Sequence, residues 1–234
     1  MMIYRLGASS LRTATFVADM DRDAVGDWSV AYSDDSEPRR ALAHQPSLLH
    51  RWIPFEGALD FRTTEPTPKQ ALDFVTFSPA SALVCIRDSV LERTESLWGL
   101  VEVLPLRCRD DDYSAIHAYR HYDILDLNAS TYRLQRRGME SVLSFGRLSL
   151  PQVVSFDPGP LDEVDLFRVP QMTAMFCTQG FIDRLDELGI TGYGARQVWP
   201  PTDEQLAEEA RLLALQRAGK LHGEMHFRPE ALEA

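Results

Sequence analysis

The chain is short of the residues that staple a small protein or anchor it in a membrane. Its three cysteines, Cys85, Cys108 and Cys177, are odd in number and far apart. That argues against a disulfide framework, and equally against a structural zinc site, whose ligands come in close pairs. Long apolar runs are missing too: none approaches the roughly 20 residues that cross a bilayer. The first residues, MMIYRLGASSLRTATF, lack a sustained apolar stretch of the kind that marks a secretory signal, so a cytoplasmic location is expected. There is no GxSxG, no Walker loop, and no GxGxxG between a strand and a helix. As an enzyme the sequence is unmarked.

What is present is an ordinary globular composition with a strong charge bias. The 234 residues are 44% hydrophobic and 25% charged, enough for one good core or two small ones sharing an interface. Acidic residues number 35 against 24 basic ones, for a net charge of −11. Such a surface repels nucleic-acid backbones and anionic lipid, and it favours a basic partner. Cys85 and Cys177 lie inside apolar runs and read as small core residues.

Three segments are expected. Residues 1–68 form an acidic, irregular region, with Asp19, Asp21, Asp23, Asp27, Asp34, Asp35 and Glu37 set against one Arg22. The prolines of EPTPK bias their neighbours away from helix and mark its end. Residues 69–200 form the core, and 201–234 a C-terminal helix and tail. The fold class is α+β, with mixed or antiparallel sheets and short amphipathic helices. DFVTFS, ALVCI, LVEVLPL, HAYRHYDILDL and VVSF read as strands, and DSVLERTESL as a helix capped by Asp88 or Ser89. RDDDYS reads as a charged turn.

One pattern occurs twice. An offset of 91 residues aligns Val90-Leu91-Glu92-Arg93 with Phe181-Ile182-Asp183-Arg184, and Leu97 with Leu188. Each copy runs strand, turn, amphipathic helix, glycine (Gly99 or Gly189), then a further strand. Two divergent copies point to a duplicated packing unit, since a solenoid needs about three or more. In the tail, Thr202 and Gln205 match a capping box, Asp203 and Glu204 suit the positive end of the helix dipole, and Gly219 is a stop. Leu206, Ala210, Leu213 and Arg217 share the face expected to dock.

Candidate chemistry is thin. His117 and His121 lie four apart, but the strand reading separates them and no HExxH surrounds them. His222, Glu224 and His226 could chelate an ion if extended, although a solvated tail is the simpler reading. Asp110, Asp111 and Asp112 have neither the glycine nor the distal glutamate of a calcium loop. Asp123, Asp126 and Asp157 allow carboxylate pairs, as any acidic chain does. Arg133, Arg136 and Arg137 read as a salt-bridged turn. No catalytic residue, cofactor or metal ligand is assigned.

A resemblance accounts for a chain of this kind. The run VVSFDPGPLDEVDLFRVPQMTAMFCTQGFIDRLDELGITGY resembles a pattern in bacterial immunity proteins of the DUF1629 (Imm11-type) family: strand, acidic-proline turn, an element ending LFRVP, strand, and an amphipathic helix closed by GITG. Upstream, VCIRDSVLERTESLWGLVEVLPL and the Asp123, Leu125, Asp126, Ser130 pattern look like its first half. The likeness covers roughly residues 70–199 and is densest from Leu166 to Pro170. It implies a protein that binds and neutralises a cognate antibacterial toxin domain, encoded by the adjacent gene, without catalysis. The residues expected to steer that partner are Asp34, Asp35, Asp110, Asp111, Asp112, Asp162, Glu163 and Asp165. Trp28, Trp52, Trp98 and Trp199 are candidate anchors. Phe167, Arg168, Pro170 and Gly189 are read as structural, with Arg168 expected to pair with Asp126 or Asp157. Two other functions fit the same residues: a hydrolase-like enzyme using His117 or His121 with a nearby aspartate, and an effector-loading chaperone of a secretion system.

Overall fold

Runs such as Val84-Cys85-Ile86 and Met175-Phe176-Cys177 carry apolar side chains at every position, as strands buried on both faces require. The computed structural model describes residues 1–8, 14–18, 54, 56–61, 72–77, 83–94, 99, 101–109, 112–137, 140–144, 153–170, 172, 174–221 and 224–233. In chain order these give β1 (Ile3–Ala8), β2 (Ala14–Ala18), β3 (Glu56–Phe61), β4 (Phe74–Phe77), β5 (Val84–Arg87), α1 (Asp88–Arg93), β6 (Val101–Pro105), β7 (Arg107–Cys108) and β8 (Tyr113–Ala118). There follow β9 (Tyr132–Arg137), β10 (Glu140–Ser144), β11 (Leu166–Phe167), β12 (Met175–Thr178), α2 (Gln179–Glu187), β13 (Tyr193–Trp199), α3 (Asp203–Arg217), β14 (Glu224–His226) and α4 (Pro229–Glu233).

The class is α+β. One sheet has the order β6-β8-β5-β4-β2-β3-β7 and is mixed, with β2 parallel to β4 and β3 parallel to β7. A second, β11-β12-β1-β13, is antiparallel throughout, as is a third, β10-β9-β14.

The two similar units are present, and their topology is shared. β5 and β6 both pair antiparallel with β8, so they run parallel to each other with one strand between, and α1 connects them. β12 and β13 stand in the same relation to β1, with α2 as the connection. Each unit is therefore a split β-α-β. The inserted strand follows the first unit in sequence, whereas the second borrows β1 from the start of the chain. Segment 1–68 thus contributes strands to both larger sheets, and its pairing crosses the boundary placed near residue 68.

The main core lies where the inner faces of these two units meet. Val84 and Ile86 of β5, Ile116 and Ala118 of β8, Leu6 of β1, and Met175 and Cys177 of β12 gather with Val90 of α1 and Phe181, Ile182 and Leu185 of α2. Alternation sends Cys85, Tyr113 and Ala115 to the other face of the mixed sheet with Val75 and Phe77. It sends Ile3, Phe167 and Phe176 to the far face of the antiparallel sheet, which Ile124, Leu125, Val154 and Phe156 cover.

Several local expectations are corrected. β8 begins at Tyr113, inside the stretch read as a turn, and ends at Ala118. Beyond it, HYDILDL makes only the isolated bridges His121 to Arg168 and Leu125 to Phe156, because its apolar residues lie over a sheet rather than within one. Val153–Phe156 is likewise a cover, bridged only at Phe156. Asp88 is the first residue of α1, after Arg87, and no side chain caps it. Arg133, Arg136 and Arg137 lie in β9, which pairs with β10 and β14. The end of the chain is a packed element, not a solvated tail: Met225 and Phe227 are buried against Leu212 and Leu213 of α3.

Helix α3 has the expected capping box, Thr202 accepting from the Gln205 amide and Gln205 from that of Thr202. Of the face expected to dock, Leu213 is buried and Leu206 partly so, whereas Ala210 and Arg217 are exposed and Gln205, Glu209 and Leu212 complete the inward side. The polar pair is satisfied. Glu209 accepts from Thr131 and from Arg228 Nε at 2.9 Å, and Gln205 Nε2 donates to the Gln197 carbonyl. Met225 and Phe227 of the returning chain supply the apolar surface that α3 itself lacks.

Candidate functional site

Two clusters of charged side chains stand out, and both grow from the stretch DEVDLFR. The first centres on Arg168, which is 1% exposed and immediately follows β11. Its backbone is fixed on both sides, its N–H donating to the Arg120 carbonyl and its own carbonyl accepting from Tyr122. The guanidinium reaches from the antiparallel sheet to the mixed one, where Nε donates to the Ala118 carbonyl at the end of β8.

Glu102 and His117 face each other there as register partners on β6 and β8, with Nδ1 and Oε2 3.0 Å apart. Burial lowers the Arg168 pKa to about 10, and the Glu102 carboxylate opposes that shift. His117 is lowered to about 4, by burial first and then by the Arg168 charge; the bond to Glu102 opposes this and nearby His121 adds to it. At neutral pH Arg168 is therefore charged and His117 neutral, with the His117 Nδ1 bonded to the Glu102 carboxylate. The cluster is a stitch between sheets.

The carboxylate acting on Arg168 is thus Glu102. Asp126 and Asp157, expected in that role, close local turns instead: Asp126 accepts from the Asn128 and Ala129 amides, and Asp157 from Gly159. The acid beside His117 is a glutamate rather than an aspartate, and His117 itself is 1% exposed. His121 lies close enough to add to the lowering of the His117 pKa.

The second cluster is the loop 162–165, laid across the first turn of α2. Asp165 was expected to steer a partner, yet it is fully buried and works as an anchor. Its carboxylate accepts from Arg120 at 3.2 Å and from Tyr122 at 3.1 Å. Its backbone N–H donates to Thr178 Oγ1, whose hydroxyl donates in turn to the Glu163 carbonyl at 2.7 Å. Gly180 lets the loop come this close, since a Cβ there would lie 2.6 Å from that same carbonyl oxygen. The anchored loop holds Asp162, Glu163 and Val164 outward. Asp162 is 70% exposed and pairs with Arg120 at 2.9 Å. Val164 is 42% exposed, high for an apolar residue in so fixed a loop.

The other expected residues are dispersed. Asp112 is exposed, and its carbonyl accepts from the Asp88 amide that opens α1. Asp34, Asp35, Asp110 and Asp111, with Trp28, Trp52 and Trp98, lie outside the described residues. Trp199 packs against the cover of the antiparallel sheet. Phe167 is buried, Pro170 is partly so, and Gly189 ends α2 with φ +64°. Among the described residues, no three His, Cys, Asp or Glu side chains gather closely enough to hold a metal ion. No helix among them is long and apolar enough to cross a membrane.

Sequence reasoning missed Glu102 and the anchoring role of Asp165. A signal for the first existed, since Glu102 shares a strand face with the buried Leu104. For Asp165 the adjoining apolar Leu166-Phe167 was the cue. Neither a scan against models of known protein families nor a search of curated proteins returns a match for this chain.

Proposed function

We propose that this chain is an immunity protein, which binds a cognate antibacterial toxin domain and neutralises it in the cytoplasm of the producing cell. The observation that carries the reading is the resemblance of residues 153–193 to the DUF1629 immunity pattern. In the fold, its last part forms one connected piece: β11, the Arg168 stitch, β12, and α2 closed at Gly189. The net charge of −11 supports it further, because a basic partner is attracted and oriented before contact. Inhibition by occlusion needs an extended, fixed surface and no reacting group. The anchored 162–165 loop is a surface of that sort.

Growth of cells expressing the toxin-like C-terminal domain encoded beside this chain, with and without the chain, tests the proposal when paired with co-purification. Rescue together with a stable complex is the expected result. Rescue without a complex would favour an enzyme that reverses the damage. Binding without rescue would favour the chaperone role.

A further inference from the structure

We infer that the toxin domain docks on the surface formed by the 162–164 loop and the first turns of α2, through a basic patch surrounding an apolar depression. The inference rests on the immunity reading and assigns it a place on the molecule. Two apolar side chains flank the start of α2. Met2 is 37% exposed, and its carbonyl accepts the Gln179 amide. Val164 lies at the next residue of the helix, with Cγ2 3.3 Å from where a Cβ on Gly180 would stand.

Exposed carboxylates stand on the same loop and helix. Asp162 and Glu163 project from the loop; Asp183, Asp186 and Glu187 line the exposed side of α2. Cations nearby include Arg120, paired with Asp162 and Asp165, Arg184, paired with Glu187 at 2.8 Å, and the Met1 ammonium beside Met2. Asp183 accepts from Gln179, and Asp186 from Tyr193. The Glu163 carboxylate has no hydrogen bond or ion pair among the described residues. Its charge remains available to an incoming partner.

Preorganisation makes this surface suited to tight binding. A loop already held by Asp165, Thr178 and Arg120 loses little freedom when it docks. An apolar centre within a charged rim is the usual division of labour at interfaces, the centre setting lifetime and the rim setting the rate of encounter. The rim is acidic, so the complementary surface carries arginine or lysine.

The test uses the full chain and the toxin-like domain encoded beside it, with association and dissociation rates followed at low and physiological salt. Glu163→Lys is expected to slow association about tenfold at low salt, and less at high salt. Val164→Asp is expected to speed dissociation about tenfold or more. Glu233→Lys, an equal charge change on α4, is expected to alter neither rate beyond about twofold. Melting temperatures near wild type confirm folding, and Glu163→Lys alone suffices if Val164→Asp unfolds. Wild-type rates for both surface variants would overturn the docking site while leaving the immunity reading standing. No binding by the wild-type chain would overturn both.

Discussion

At the scale of single residues, the account turns on Arg168. An arginine in the apolar run LFRVP is costly to bury unless it is paired, and here it bonds across the sheets to Ala118 beside the Glu102 carboxylate. Arg168→Met keeps most of the volume but leaves Glu102 without its cation. We expect a loss of about 3–5 kcal/mol in urea denaturation. Adding Glu102→Gln should recover part of that loss, because the two residues act as one unit. Strictly additive losses would show that the pair is not coupled.

His117 makes a separate prediction, in pH. Its folded pKa of about 4 lies below the value near 6.5 of an unfolded chain. Between those values the unfolded state binds more protons, so stability is complete above about pH 6.5 and declines as pH falls toward 4. His117→Gln should flatten this decline relative to wild type when urea midpoints at pH 7.5 and 5 are compared. An unchanged slope would mean that His117 is not buried as a neutral ring.

At the scale of elements, glycines close the units. Gly189 adopts φ +64°, with the Ile190 amide donating to Leu185 and the Gly189 amide to Asp186, the paired bonds of a Schellman stop. Nothing lies within 4 Å of a Cβ there, so Gly189→Ala should cost about 1 kcal/mol of left-handed strain. Gly192, at φ +82°, would place a Cβ 2.8 Å from both Leu72 Cβ and the Phe74 carbonyl oxygen, and backbone cannot yield cheaply. Gly192→Ala should therefore destabilise distinctly more, and thermal melts of the two variants would decide the order. Thr202→Ala, which breaks the α3 capping box, should cost about 1 kcal/mol.

The elements also show what could be read from the chain. Signals contained within a few residues were legible: the capping box, the Gly189 and Gly219 stops, and the 91-residue echo, which the structure realises with β5 at 84–87 and β12 at 175–178. Pairing between distant segments was not. Nothing local tells that β1 inserts between β12 and β13, or that Ile124 and Phe156 cover a sheet instead of joining one. The docking face of α3 was legible only in part, at Leu213, because Glu209 and Gln205 are held by partners outside the helix, Thr131, Arg228 and Gln197. Asp165 was misread in the same way: its acidity is visible in sequence, whereas Arg120 and Tyr122 beside it are not.

At the scale of the whole molecule, the charge of −11 and the two split β-α-β units have separate parts in the account. The units share a core and are stitched at Arg168, and the carboxylates give the surface a sign. If that sign guides a basic toxin domain, association should slow as salt rises, while dissociation changes much less. A rate of association indifferent to salt would remove electrostatic steering from the account.

The most direct test of the central claim is a calorimetric titration of the purified full chain with the toxin domain that the proposal assigns to the adjacent gene. The account predicts a saturable, stoichiometric complex that weakens between low and physiological salt. Absence of any complex, with both proteins folded, would contradict it.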